Sequence, residues 1–477
     1  MRHSKFVVSL VAATAALGQT GTISQRIAAR LGANDLQADV SFLASDALEG
    51  RGTPSPGLNL AAEYIASQFR RAGLEPVGDD GYFQTGTFYQ ITPNPDGIEL
   101  TFGDAPVPRG AITVQDAVAA HFDKIAAYKT TFAELESLTI ADVKGKVLIL
   151  DPAGQGPAAM RRPSVPLAKL EPALIVLMRP AGGPGAGRAP RPQLRESQAT
   201  TPILVVSDPA VREMVSAAKN GPMDLTVSAR IPAPKVDMVR LRNVAGVIRG
   251  TDPSLKDTYV IVTAHYDHLG INANAEGDKI SNGANDDASG SASVIEISRA
   301  LAALGDKPRR TIVFVTVFGE EVGGLGARWY TGHPIFPLAK TIADINLEQL
   351  GRTDDTEGPK PMQFNLTGFD YTDIAAIFAK NSAETGVKVV KHEKNSDAFF
   401  ARSDNATFAE AGIPSTTISV SYVFPDYHKV GDEWQKLDYT NMAKVDLAIA
   451  LGIWDMANNP EIPHWNKENP RAARYAK

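Results

Sequence analysis

The second half of this chain alternates between two textures, and that alternation leaves few folds open. From Asn243 onward, apolar runs rich in β-branched residues occur at 259–263, 311–318, 342–347, 362–366 and 415–420. Helical patterns lie between and after them at 289–304, 371–384 and 439–456. In the first of these, Val294, Ile297, Leu301 and Leu304 fall on one face. Strands that are apolar on both faces, alternating with helices, predict an α/β domain, a mostly parallel mixed sheet with helices on both faces. In such sheets a ligand binds outside the carboxyl ends of the strands.

Upstream the texture changes. From about 22 to 74 the pattern is helical, with Leu60, Ala61, Tyr64, Ile65 and Phe69 at helical spacing. The loop SDALEGRGTPSPG interrupts it. Between about 110 and 234, short β-type runs at 147–150, 174–178 and 203–206 surround a Pro-, Gly- and Arg-rich stretch at 180–192, which predicts a small β-rich inserted domain with its own loop. At 477 residues the chain is long enough for such a division. The expected segments are 1–18 as a signal peptide, 19–109 as the first part of the main domain, 110–234 as the insert and 235–477 as the rest.

The N-terminal reading rests on Arg2, His3 and Lys5 ahead of an apolar stretch at 6–17, with a cut after Gly18 and Ala16 at the minus-three position. The alternative is a buried N-terminal helix. Nothing later approaches about 20 consecutive apolar residues, so an exported protein, periplasmic or secreted and without a stable membrane anchor, is expected. The 48 basic and 54 acidic residues give a net charge of -6, which argues against a nucleic-acid partner. No cysteine is present, so thiolate metal sites and disulfides are excluded.

Metal-binding side chains recur near the ends of the apolar runs: His265 in TAHYDHLG, Asp286 in NGANDDASG, Glu321 in FGEEVGG, Glu348 in INLEQLG and His428 in PDYHKVGDE. Two imidazoles and three carboxylates, one of them bridging, suffice for two divalent ions. Asp267 is expected to fix the tautomer of His265, and His268 to line the site from a loop. The adjacent acids of NGANDDASG could be a helix cap. Their Gly/Ala-rich surroundings allow close backbone approach, so Asp286 is read as the bridge and Asp287 as support for the turn. Successive residues leaving a strand point in different directions. Glu321 can therefore bind metal while Glu320 handles the proton of a water.

With these residues in this order, the chain resembles metallopeptidase family 28, the co-catalytic zinc aminopeptidases. The resemblance covers about 243–458 and takes in the upstream segment LASDALEGRGTPSPG. The insert, with VKGKVLIL as its clearest strand, is similar to a protease-associated domain. The resemblance implies that His265, Asp286 and Glu348 bind one zinc, and that Asp286, Glu321 and His428 bind the other. Glu320 would be the general base, and Tyr427 would polarise the scissile carbonyl. Most members have aspartate where this chain has Glu348. Two Zn2+ are the expected cofactors, with Co2+ or Mn2+ as substitutes at an all-N/O site. The implied reaction is removal of N-terminal residues from peptides with a free N-terminus, through a hydroxide bridging the ions. The alternatives are a carboxypeptidase or dipeptidase of the same family, for which Arg328, Arg352 and Arg402 are available cations, or a non-catalytic receptor-like protein on this scaffold.

Overall fold

A computed structural model describes residues 21–94, 96–152, 167–179 and 192–477. The expected signal peptide and most of the Pro/Arg-rich stretch lie outside these residues. Two compact units are present: one comprises residues up to Gly86 together with Leu241–Lys477, the other Thr87–Arg240.

In the first unit, seven strands form most of a mixed sheet: β1 (Lys235–Ile248, of which Leu241–Ile248 lies in this unit), β2 (Tyr259–His265), β3 (Thr311–Val317), β4 (Thr341–Leu347), β5 (Gln363–Leu366), β6 (Lys388–Val390) and β7 (Ser415–Ser419). Their order is β6-β5-β7-β4-β2-β3-β1. β2 is parallel to both β3 and β4, and β4 is parallel to β7, so the carboxyl ends of these four strands share one rim. β1 is antiparallel to β3, and β5 to β7. Every residue of β2, β3, β4 and β7 is buried, which is why β2 and β3 read as near-continuous apolar runs rather than alternating ones, whereas β4 buries Asp344 and Asn346 and β7 is mostly Ser and Thr. Truncating a core residue such as Ile261 or Phe314 would cost about 2–5 kcal/mol.

The helices of this unit include α1 (Ile23–Ala28), α2 (Ala33–Leu43), α3 (Pro56–Ala72), α4 (Ser289–Ala302), α5 (Ile374–Ser382) and α6 (Tyr439–Asn458). Their ends follow local chemistry. Ser55 caps α3 by accepting from the Leu58 amide at 3.0 Å, Pro56 pre-sets its first turn, and Gly73 ends it at φ 75°. Asp438 caps α6 through the Asn441 amide at 2.9 Å. No helix among the described residues is long and apolar enough to cross a membrane.

The second unit holds an eight-stranded sheet. Its middle is parallel, with Ala120–Thr131, Val147–Asp151, Leu174–Met178 and Ile203–Val206 side by side. Val147, Ile149, Val176, Leu204 and Val206 supply its core, joined by Val227. The unit begins before the expected residue 110 because Glu99–Phe102 pairs with Gly221–Ile231 in this sheet, and it runs on to Arg240. A four-residue strand carries too little pattern to be placed from sequence.

Candidate metal centre

The site is built from strand ends and the turns that follow them. β2 ends on His265, whose Nδ1 lies 3.2 Å from the Asp267 carbonyl oxygen and 3.6 Å from Asp267 Oδ1. These contacts orient the ring so that Nε2 faces Asp286 Oδ1 at 3.3 Å. Asp267 does more than the sequence suggested. Its Oδ1 accepts from the Glu320 amide at 3.1 Å and its Oδ2 from Thr53 Oγ1 at 3.1 Å, so it also fixes the backbone that carries Glu320.

Asp286 sits in the tight turn Ala284–Ala288, which enters α4 after Gly283 at φ 61°. A Cβ at Gly283 would lie 2.4 Å from both Asp286 O and His268 Cγ, so only glycine fits there. The two adjacent acids divide the work. Asp287 Oδ1 accepts from the Gly290 amide at 3.0 Å and the Gln349 amide at 3.1 Å, tying the turn to the strand end that carries Glu348. Asp286 points both oxygens outward, Oδ1 toward His265 and Oδ2 toward His428 Nε2 at 3.1 Å.

The segment after β3 bends at Gly319, at φ 70°, and presents the two glutamates differently. Glu321 places Oε1 2.8 Å from His268 Nδ1 and Oε2 3.5 Å from His428 Nε2. Glu320 is half-buried beside His265, Asp404, Glu348 and Glu321. Glu348 follows β4 directly, its amide donating to the Ile418 carbonyl at 3.1 Å, and Gln349 Nε2 donates to its Oε1 at 3.2 Å. His428 enters from the solvent side with its side chain 39% exposed, its ring 4.1 Å from that of Tyr427. Tyr427, Glu348 and Arg402 line one small cavity together with Phe399 and Tyr422.

The donor set is short of partners. His265 Nε2, both nitrogens of His268 and Glu321 Oε1 are buried without an aligned hydrogen bond. Burial, with Asp286 adding to it, pushes the Glu321 carboxyl up to about 8. Burial raises Glu320 well above the usual range against the opposing pull of His265, and it raises Glu348 in the same way. Such a crowd of carboxylates is what a divalent cation would neutralise. Two triads meet this need, His265–Asp286–Glu348 and His268–Asp286–Glu321, each with its ligand atoms within 4.8 Å of one another. Metal–ligand bonds of about 2.1 Å in a tetrahedron place ligand atoms roughly 3.4 Å apart, close to the spacings around Asp286. The residues therefore fit two zinc ions sharing Asp286.

All eight residues named from sequence fall in this one region. Three others were not expected. Asp432 accepts from the amides of Asn285, at 2.9 Å, and Asp286, at 3.0 Å, and so holds the bridging turn. Arg51 is fully buried and donates to the carbonyls of Leu43, Tyr266, Asn282 and Gly283. Asp404, buried with both oxygens unpartnered, is pushed up to about 7 by burial and lies close to Glu320. Only Asp432 carried a sequence signal, its position four residues after His428.

Residues 243–452 match the sequence model of peptidase family M28. A probable zinc metalloprotease of Leptosphaeria maculans is 38% identical over 50% of this chain and 61% of its own length. Aminopeptidase YwaD of Bacillus subtilis is 24% identical over 48% of each. The chain thus spans about half to three fifths of the length of the probable zinc metalloproteases it matches. Among solved structures, an aminopeptidase from Aneurinibacillus sp. strain AM-1 has a similar fold, with a TM-score of 0.57 at 18% identity over 92% of this chain and 97% of that one. The part of the chain that carries this donor set on the carboxyl rim of a mixed α/β sheet, residues 243–452, is thus the part that matches peptidase family M28.

Proposed function

We propose that this chain is an exported two-zinc aminopeptidase. One observation carries the reading: the Asp286 carboxylate lies between two imidazoles, with His265 on one oxygen and His428 on the other, while Glu348 and Glu321 complete the two sides. When bound, a pair of zinc ions supplies Lewis acidity and brings the pKa of water down towards about 7. Glu320 takes the proton of the attacking water and delivers it to the leaving amine, a transfer that needs a carboxylate held beside the reacting atoms. Asp267 holds Glu320 in place through its amide. Tyr427 donates its phenol to the carbonyl oxygen as charge develops there. Glu348 also lines the cavity, where its negative charge favours the substrate's free ammonium.

A second reading is supported by Arg402. Of the three available arginines, Arg352 is tied to Asp354 and Asp426. Arg402 lines the cavity with Glu348 and Tyr427, where it could meet a substrate carboxylate. A carboxypeptidase or dipeptidase would use it so. Amino-acyl anilides, N-blocked peptides and C-terminally amidated peptides separate these readings. Hydrolysis of free but not blocked N-termini, insensitive to C-terminal amidation, is the expected pattern. Cleavage of N-blocked peptides alone would sink the aminopeptidase reading, and a requirement for both free ends would favour the dipeptidase.

A further inference from the structure

His268 is the least explained residue of the rim. It is 1% exposed, and neither ring nitrogen makes an aligned hydrogen bond. Its ring is wedged against Gly283, where any side chain would approach its Cγ and Cδ2 to 2.4–2.5 Å. The ring is therefore locked on the turn that carries Asp286. From there Nδ1 sits 2.8 Å from Glu321 Oε1, and one nitrogen lies within 4.8 Å of both the Asp286 and the Glu321 ligand atoms. The His428 ring stands edge-on to it, with centroids 5.7 Å apart. A buried imidazole whose nitrogens make no aligned hydrogen bond costs free energy unless something occupies its lone pair.

We propose that His268 is a fourth protein ligand of the ion held by Asp286, Glu321 and His428. The proposal rests on the two-zinc reading of the site. It makes the two ions unequal. The Asp286–Glu321 ion has two imidazoles, a buried one from His268 and a half-exposed one from His428. The other ion has His265 alone. An ion with four protein donors would be held more tightly than one with three. It should therefore fill first and release its ion last. His428, on the solvent side, is then the ligand that can yield without emptying the site.

Zinc-edge X-ray absorption on the full chain loaded with zinc alone counts imidazoles through their multiple scattering. With His268 ligating, three imidazoles over two ions average about 1.5 per zinc; without it the average is about 1. The wild-type count decides the matter even if a variant fails to fold. His268→Phe, which keeps a ring against Gly283, should lower the count to about 1 and weaken the tighter zinc by more than the 10–100-fold typical of an outer hydrogen-bond partner. A count of about 1 in wild type, or a count unchanged by His268→Phe, overturns the proposal. Failure of the two-zinc reading is distinguishable, because it shows as fewer than two zinc per chain. The change on His268→Phe then still decides whether His268 binds the single ion.

Discussion

Replacing Arg51 tests how the metal turns are held. Its guanidinium is fully buried and reaches carbonyls on three separate segments: Leu43 at the end of α2, Tyr266 next to His265, and Asn282 with Gly283 ahead of Asp286. The Tyr266, Asn282 and Gly283 bonds measure 2.7, 2.7 and 2.8 Å. Burial lowers its pKa to about 10 despite the nearby Asp267 and Asp432, so it is charged at neutral pH. A hydrogen bond from a charged donor is worth about 1.5–3 kcal/mol, and each carbonyl left unpaired costs about 1–3 kcal/mol. Against this, removing the guanidinium recovers its own desolvation cost, which leaves a net loss of about 3–5 kcal/mol for Arg51→Met. Arg51→Lys should recover less than half of that, because one ammonium cannot span three segments. Urea unfolding of the zinc-loaded protein measures the loss, and zinc titration should show affinity weakened about 10–100-fold as the two turns loosen. An Arg51→Met protein within about 0.5 kcal/mol of wild type, the range of an ordinary surface change, would refute the clamp.

Glu320→Gln should lower turnover by about 10²–10⁴-fold while keeping both zinc ions; equal turnover would remove Glu320 as the proton carrier. Asp432→Asn replaces an acceptor of two backbone amides with a group that is partly a donor, so zinc affinity should fall, and an unchanged titration would contradict its hold on Asp286. Away from the site, burial pushes the Asp39 carboxyl up to about 6, and burial with Asp39 beside it pushes Glu296 up to about 8. Both folded values lie above the unfolded ones, so this pair stabilises the fold below about pH 4 and loses that contribution as pH rises through 6 to 8. Urea midpoints between pH 5 and 9 should fall less steeply in Glu296→Gln than in wild type, and parallel curves would contradict the assignment.

The second half of the fold was readable because its strands are buried on both faces, so β2 and β3 show as nearly unbroken apolar runs, while β4 and β7 were marked by β-branched residues among polar ones. The site residues were readable for a related reason. His265 ends its strand and Glu348 follows directly on its own, so sequence position already places them on the rim. What could not be read was anything held by contacts distant in sequence. Arg51 reaches Tyr266 across 215 positions, and a lone arginine in a Gly/Pro loop gives no sign of that. His268 looked like a loop residue because its burial depends on the Gly283 turn packing over it. The Asp267 contact to the Glu320 amide likewise joins two turns that sequence alone treats as separate. The extent of the second unit was missed at Glu99–Phe102 because strand pairing, not local pattern, decides its membership.

Zinc-edge anomalous diffraction from crystals grown with zinc tests the central claim most directly. Two peaks roughly 3.5–4 Å apart, one on each oxygen of Asp286, are expected. A single peak, or two peaks that do not share Asp286, would contradict the bridged two-metal centre.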